Sequence, residues 1–129
     1  MISHPRRNRE IADWLVVRLR AGVEIIIPEI AGYEVRRELL RAGKRKGLER
    51  LDHLKRELTY LPLDSATMLR AAEFWANARN QGQPTADPKE LDCDVILAAQ
   101  AERATAIVAT ENVGHLSLFV DARHWRTII

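Results

Sequence analysis

At 129 residues, with 47% hydrophobic residues and a net charge of +2, the chain is sized and composed as one domain, 1–129, with a two- or three-layer core. A lone cysteine, Cys93, excludes a disulfide framework, no apolar run approaches the ~20 residues of a membrane span, and "MISHPRRNRE" lacks a signal-peptide apolar region, so a reducing, cytoplasmic location is expected. Residues 1–56 carry +6 (14 Lys/Arg, 8 Asp/Glu) and residues 57–129 carry −4 (6 and 10), which suits either a polyanion partner on the basic half or two solvated faces.

In chain order, "NREIADWLVVRLRAG" predicts a helix over 8–20 with Ser3 or Asn8 as N-cap and Gly22 as its stop. "VEIII" (23–27) is a β-branched run and predicts a buried strand. Pro28 opens a second helix that ends at Gly43. A third helix spans 48–58, followed by a weak strand over 59–63. Asp64 caps an amphipathic helix over 65–82. The prolines of "QPTADPKE" predict a loop, and "LDCDVILAAQAERA" then forms a helix so apolar that it must be buried nearly all round. "TAIVAT" (105–110) is a further strand, and "LSLFVDARHW" (116–125) a short edge strand.

Helices alternating with short apolar strands predict an α/β fold with a mainly parallel sheet. In such a sheet, the helices before and after a strand have their N-termini at the strands' C-terminal edge, where ligands of open α/β sheets bind. Three polar groups meet on that rim. Glu34 lies early in the helix after strand 23–27, Asp92 and Asp94 open the helix before strand 105–110, and Thr110, Glu111 and Asn112 leave that strand.

One aspartate at a helix start is explained as an N-cap, worth ~1 kcal/mol; a second is not, because neighbouring carboxylates repel unless a cation lies between them. Asp94 therefore reads as cap or as metal ligand. Glu34 borders the core between the columns of Ile30 and Ala31, but so does Glu38 one turn later. Gly32 leaves room beside Glu34 for a ligand. An all-oxygen set of this kind suits Mg²⁺ or Mn²⁺ and phosphodiester hydrolysis. Zinc fits poorly, since His4, His53, His115 and His124 show no ligand spacing. "RAGKRKG" lacks the spacing and preceding strand of a phosphate loop, and residues 105–120 lack the lysine that an acidic-pocket receiver domain requires.

"IIIPEIAGYEVRREL", "LDCDVILAAQA" and "AIVATENVGHL", in this order and at these separations, resemble a PIN-domain ribonuclease of the VapC toxin type over nearly the whole chain. The resemblance implies a PIN-like three-layer sandwich with a mainly parallel central sheet. It assigns the family's helix glutamate to Glu34, its helix-opening aspartate to Asp94 with Asp92 as an adjacent acid, and its Thr-x-Asn/Asp feature to Thr110 and Asn112. It further implies Mg²⁺- or Mn²⁺-dependent RNA cleavage with Asp94, Glu34 and Asp92 as metal ligands, a homodimer, and an antitoxin that fills the site. Arg36, Arg37, Lys44, Arg45 and Lys46 are candidates to track the RNA backbone, or form a solvated turn.

One family feature is absent. Family chains begin with a strand ending in an aspartate, whereas helix 8–20 here has a strand after it and none before it. Either Met1 lies within a longer reading frame, or this is a degenerate, catalytically inactive PIN-like module that binds an antitoxin or RNA. In the family that strand is central, so strands 23–27 and 105–110 are expected either to pair directly or to flank a filled slot of about 9–10 Å. With one carboxylate fewer, weak Mg²⁺ binding is expected.

Overall fold

The computed structural model describes residues 5–82, 88–111 and 113–128. Ser3, the loop residues 83–87 and Asn112 lie outside the described residues. The order of elements is α1 (Pro5–Arg20), β1 (Ile26–Pro28), α2 (Glu29–Arg41), α3 (Arg45–Glu57), β2 (Thr59–Leu61), α4 (Ser65–Asn80), α5 (Pro88–Ala104), β3 (Val108–Thr110), α6 (Val113–Leu116) and β4 (Ala122–His124), with a closing 3₁₀ turn at Trp125–Thr127. This is the expected α/β alternation. Gly22, Gly43 and Gly82 end their helices with φ of 83°, 66° and 62°, the left-handed geometry glycine adopts without cost. Asp64 caps α4 as expected, its Oδ1 accepting from the Thr67 N–H at 2.7 Å.

Two helix starts differ from expectation for one reason. Proline is favoured at the first helical position, where its missing N–H would be unpaired anyway. Thus α1 begins at Pro5, which places Asn8 inside the helix, and α5 begins at Pro88, inside the segment expected to be loop. The strand expected from residue 105 starts only at Val108, because Thr105 (φ 51°) turns the chain left-handed at the end of α5.

The strands do not form one sheet. Among the described residues, β1 pairs in parallel with β2 (Ile26 opposite Thr59) and β3 in parallel with β4 (Val108 opposite Ala122). Direct pairing of the first and third strands is therefore not observed. The two pairs are joined through α5. Its Leu97 and Ala101 pack with Val108, Leu116 and Ala122, beneath β3 and β4. Its Leu91, Val95, Ala98 and Ala99 pack against Ala71 and Phe74 of α4, where Phe119 lies 5.3 Å from the Phe74 ring. Gln100, fully buried, reaches the other pair: its Oε1 accepts from the Ile30 N–H at 3.1 Å and its Nε2 donates to the Leu61 carbonyl at 2.9 Å. The N-cap of α2 is Pro28, which offers no side-chain acceptor, so Gln100 caps that helix from across the core. At the opposite end, α1 is held by Trp14, whose Nε1 donates to the Ile128 carbonyl at 3.1 Å and whose ring meets Trp125 edge-on.

Replacing Gln100 by Leu leaves the buried Ile30 N–H without its acceptor and removes the bond to the Leu61 carbonyl, and is expected to cost roughly 1–3 kcal/mol in urea denaturation. Thr105→Gly relieves a β-branched residue of left-handed backbone and is expected to raise stability by about 1 kcal/mol in the same assay.

Candidate active site

The helix α2 leaves the C-terminal end of β1 and carries Glu34 in its second turn, half-buried. Helical position alone leaves Glu34 and Glu38 equivalent; their partners distinguish them. Glu38 is gripped by Arg41, whose Nη2 and Nε lie 2.8 and 3.0 Å from its Oε2, and this hydrogen bonding holds its carboxyl below the usual range. Glu34 instead acts on Cys93 of α5. Burial pushes the Cys93 thiol up, the negative charges of Glu34 and Asp94 push it further, and Arg37 opposes them. The thiol thus feels the charge of a carboxylate and a guanidinium from α2 and of the next residue of its own helix, Asp94.

Asp94 and Asp92 separate. Because α5 starts at Pro88, both lie in its second turn and neither is an N-cap, so the capping reading of Asp94 is overturned. Residues i and i+2 of a helix point to different sides. Accordingly Asp94 is half-buried and lies within electrostatic reach of Cys93, whereas Asp92 is exposed. The repulsion expected between them is relieved by the helix itself, with no cation required.

Thr110 closes β3 and is half-buried, at the strand end where it was expected. Glu111 accepts a hydrogen bond from Trp125 Nε1 at 3.3 Å, which ties this strand end to the closing turn. Arg36 is engaged by Asp52 of α3, while Lys44, Arg45 and Lys46 are exposed at the α2–α3 turn. Gly32 is buried, yet a side-chain carbon there would meet nothing within 4 Å; two residues before Glu34 on the helix, it opens that space on a different side from Glu34, so the expected room beside the carboxylate is not what it provides. Two residues escaped the sequence reading. Gln100 fixes α2 against α5, and Tyr33 stands beside Glu34 with the Arg37 guanidinium 5.3 Å from its ring centroid. Tyr33 and Arg37 carried a signal, an aromatic residue and a cation at i,i+4 spacing.

The PIN domain family model matches residues 1–116. The chain belongs to the PIN-domain family. Two solved structures share its fold. One is a chain of the VapBC-1 structure from nontypeable Haemophilus influenzae (TM-score 0.69, 15% identity, 88% of this chain and 86% of that one). The other is a chain of VapBC2 from Rickettsia felis, bound there to a DNA fragment from their promoter (TM-score 0.74, 14% identity, 94% and 89%). No curated protein matches the sequence significantly.

Divalent metals are implied for a PIN domain, and the donor set can be tested against them. Among the described residues, no group of three or more His, Cys, Asp or Glu side chains is arranged to hold an ion. Glu34 and Asp94 nonetheless offer hard oxygen donors, both within electrostatic reach of Cys93, and Mg²⁺ is commonly held by one or two carboxylates, the rest of its shell being water and substrate phosphate. The raised pKa of Cys93 keeps its thiol protonated near neutral pH and a poor ligand. The residues present fit a hard cation and disfavour a soft one.

Cys93 is the single cysteine of this PIN domain, so the pH profile of its alkylation reports its pKa alone. Removing a nearby negative charge eases thiolate formation. Glu34→Gln and Asp94→Asn are therefore each expected to lower the midpoint of the rate–pH curve, and Arg37→Ala to raise it. Midpoints unchanged by both carboxylate substitutions would show that the two acids do not share a site.

Proposed function

We propose that this PIN domain is a metal-dependent endoribonuclease, the toxin of a toxin–antitoxin pair. The reading is carried by the match to the PIN domain family, and it is supported by Glu34 and Asp94, from two different helices, both acting electrostatically on Cys93 together with Arg37. Glu34 and Asp94 would hold Mg²⁺ or Mn²⁺. When bound, such a cation polarises the phosphate and lowers the pKa of water.

The chain's own residues do the rest. The two carboxylates orient the reacting phosphate. Arg37 balances their charge and draws the phosphodiester toward them. Thr110 and Asn112 orient phosphate oxygens and the attacking water, so that hydrolysis leaves a 5′-phosphate and a 3′-hydroxyl. Asp92, on the other side of α5, has no direct part. Arg36, Lys44, Arg45 and Lys46 extend the basic track for the RNA backbone, with Arg36 released from Asp52 on binding.

An antitoxin partner is supported by the likeness to the VapBC structures, and the proposal includes a homodimer. No helix of the described residues is long and apolar enough to cross a membrane.

A second reading, a module that binds RNA or an antitoxin without cleaving, is favoured by the lack of a three-carboxylate cluster among the described residues. One comparison separates the two. With Mn²⁺ and single-stranded RNA, the chain is expected to cleave, Asp94→Asn to lose at least ~100-fold in rate, and Asp92→Asn to stay within a few-fold of the parent. Equal cleavage by Asp94→Asn would refute the site, and binding without any cleavage would establish the second reading.

A further inference from the structure

Tyr33 is a large aromatic side chain left 55% exposed on the helix that carries Glu34. A soluble domain gains nothing in stability from an aromatic ring held in water, and this one is held in place. The Arg37 guanidinium lies 5.3 Å from its centroid. On the helical wheel Arg37 falls about 40° from Tyr33 and about 60° from Glu34, so it sits between the ring and the acid. The other α2 arginines are turned to carboxylates, Arg36 to Asp52 and Arg41 to Glu38. Arg37 is thus the α2 cation directed at the site, and it fixes the ring beside it.

An exposed ring next to a phosphate-binding point has a chemical use. Every nucleobase offers a π-face, and aromatic side chains bind unpaired bases by stacking whatever their sequence. A base paired in a duplex cannot reach such a ring. We propose that Tyr33, braced by Arg37, is the stacking platform for an unpaired nucleobase adjoining the phosphate held at Glu34 and Asp94. This rests on the ribonuclease reading and adds to it a base-binding subsite. The pair Trp75 and Arg79 on α4 has the same chemistry, with the guanidinium 5.5 Å from the ring centroid, outside the Glu34–Asp94 site, and serves as an internal control.

The test uses the full chain in EDTA, which prevents cleavage, and fluorescence anisotropy with a labelled mixed-sequence RNA 12-mer and the same 12-mer carrying abasic riboses. The wild-type chain is expected to bind the base-bearing RNA about tenfold more tightly than the abasic one. Tyr33→Ala should remove that preference while leaving abasic binding unchanged. Tyr33→Phe, which keeps the ring, should retain it, and Trp75→Ala should retain it too. Thermal melts confirm that each variant is folded. A preference that survives in Tyr33→Ala overturns the stacking platform and leaves the ribonuclease reading standing. A wild-type chain that binds the two oligonucleotides equally overturns the platform as well.

Discussion

A buried amide holds the two functional helices in register. Gln100 has no access to water, so both its hydrogen bonds must be made within the protein, and each unmade bond would cost about 1–3 kcal/mol. Its partners are the second residue of α2 and the last residue of β2. The first bond satisfies a helix N-terminal donor that Pro28 cannot serve, and the second anchors the strand beside β1. Glu34 lies one turn beyond Ile30 on α2, and Asp94 lies on the same rigid helix as Gln100. The separation of the two carboxylates is therefore set by a hydrogen bond that neither of them makes.

That arrangement has an electrostatic cost. Two carboxylates are drawn toward one buried thiol, and each lies in the second turn of its helix, beyond the strongest part of the dipole's support for negative charge. Arg37 supplies the compensation, and its own pKa is raised by the Tyr33 side chain and by the neighbouring charges. The site carries a single guanidinium between two acids and a protonated thiol, an excess of negative charge that a divalent cation would complete.

The order of the elements was legible because glycine and proline punctuate it and because α5 is so evenly apolar. Three features were not. Strand pairing is non-local, so nothing along the chain foretold that β1 would choose β2 and β3 would choose β4. The prolines before α5 read as loop residues although Pro88 is the helix's first residue, and that shift of a few positions turned Asp92 and Asp94 from a mouth into two sides of a helix. Gln100 was hidden in "LAAQAERA", two residues before the exposed Glu102 and Arg103, with nothing local to set it apart from them. A polar side chain inside a helix too apolar to face water is better read as one that must find partners in the core.

The divided sheet bears on how the rim is assembled. Glu34 follows β1 and Thr110 ends β3, and among the described residues these strands belong to separate pairs. A continuous sheet would fix their separation by backbone hydrogen bonds at the usual strand spacing. Here that task falls to α5, which presents Gln100 to one pair and Leu97 and Ala101 to the other. The two links differ in kind. The amide is directional and tolerates little displacement, whereas the apolar contact is non-directional and resists sliding more weakly. Glu34 is consequently tied to Asp94 more tightly than Thr110 is to either. In the proposed site, the carboxylates are therefore the part fixed by a directional bond, and the strand end carrying Thr110 is the part positioned by apolar packing.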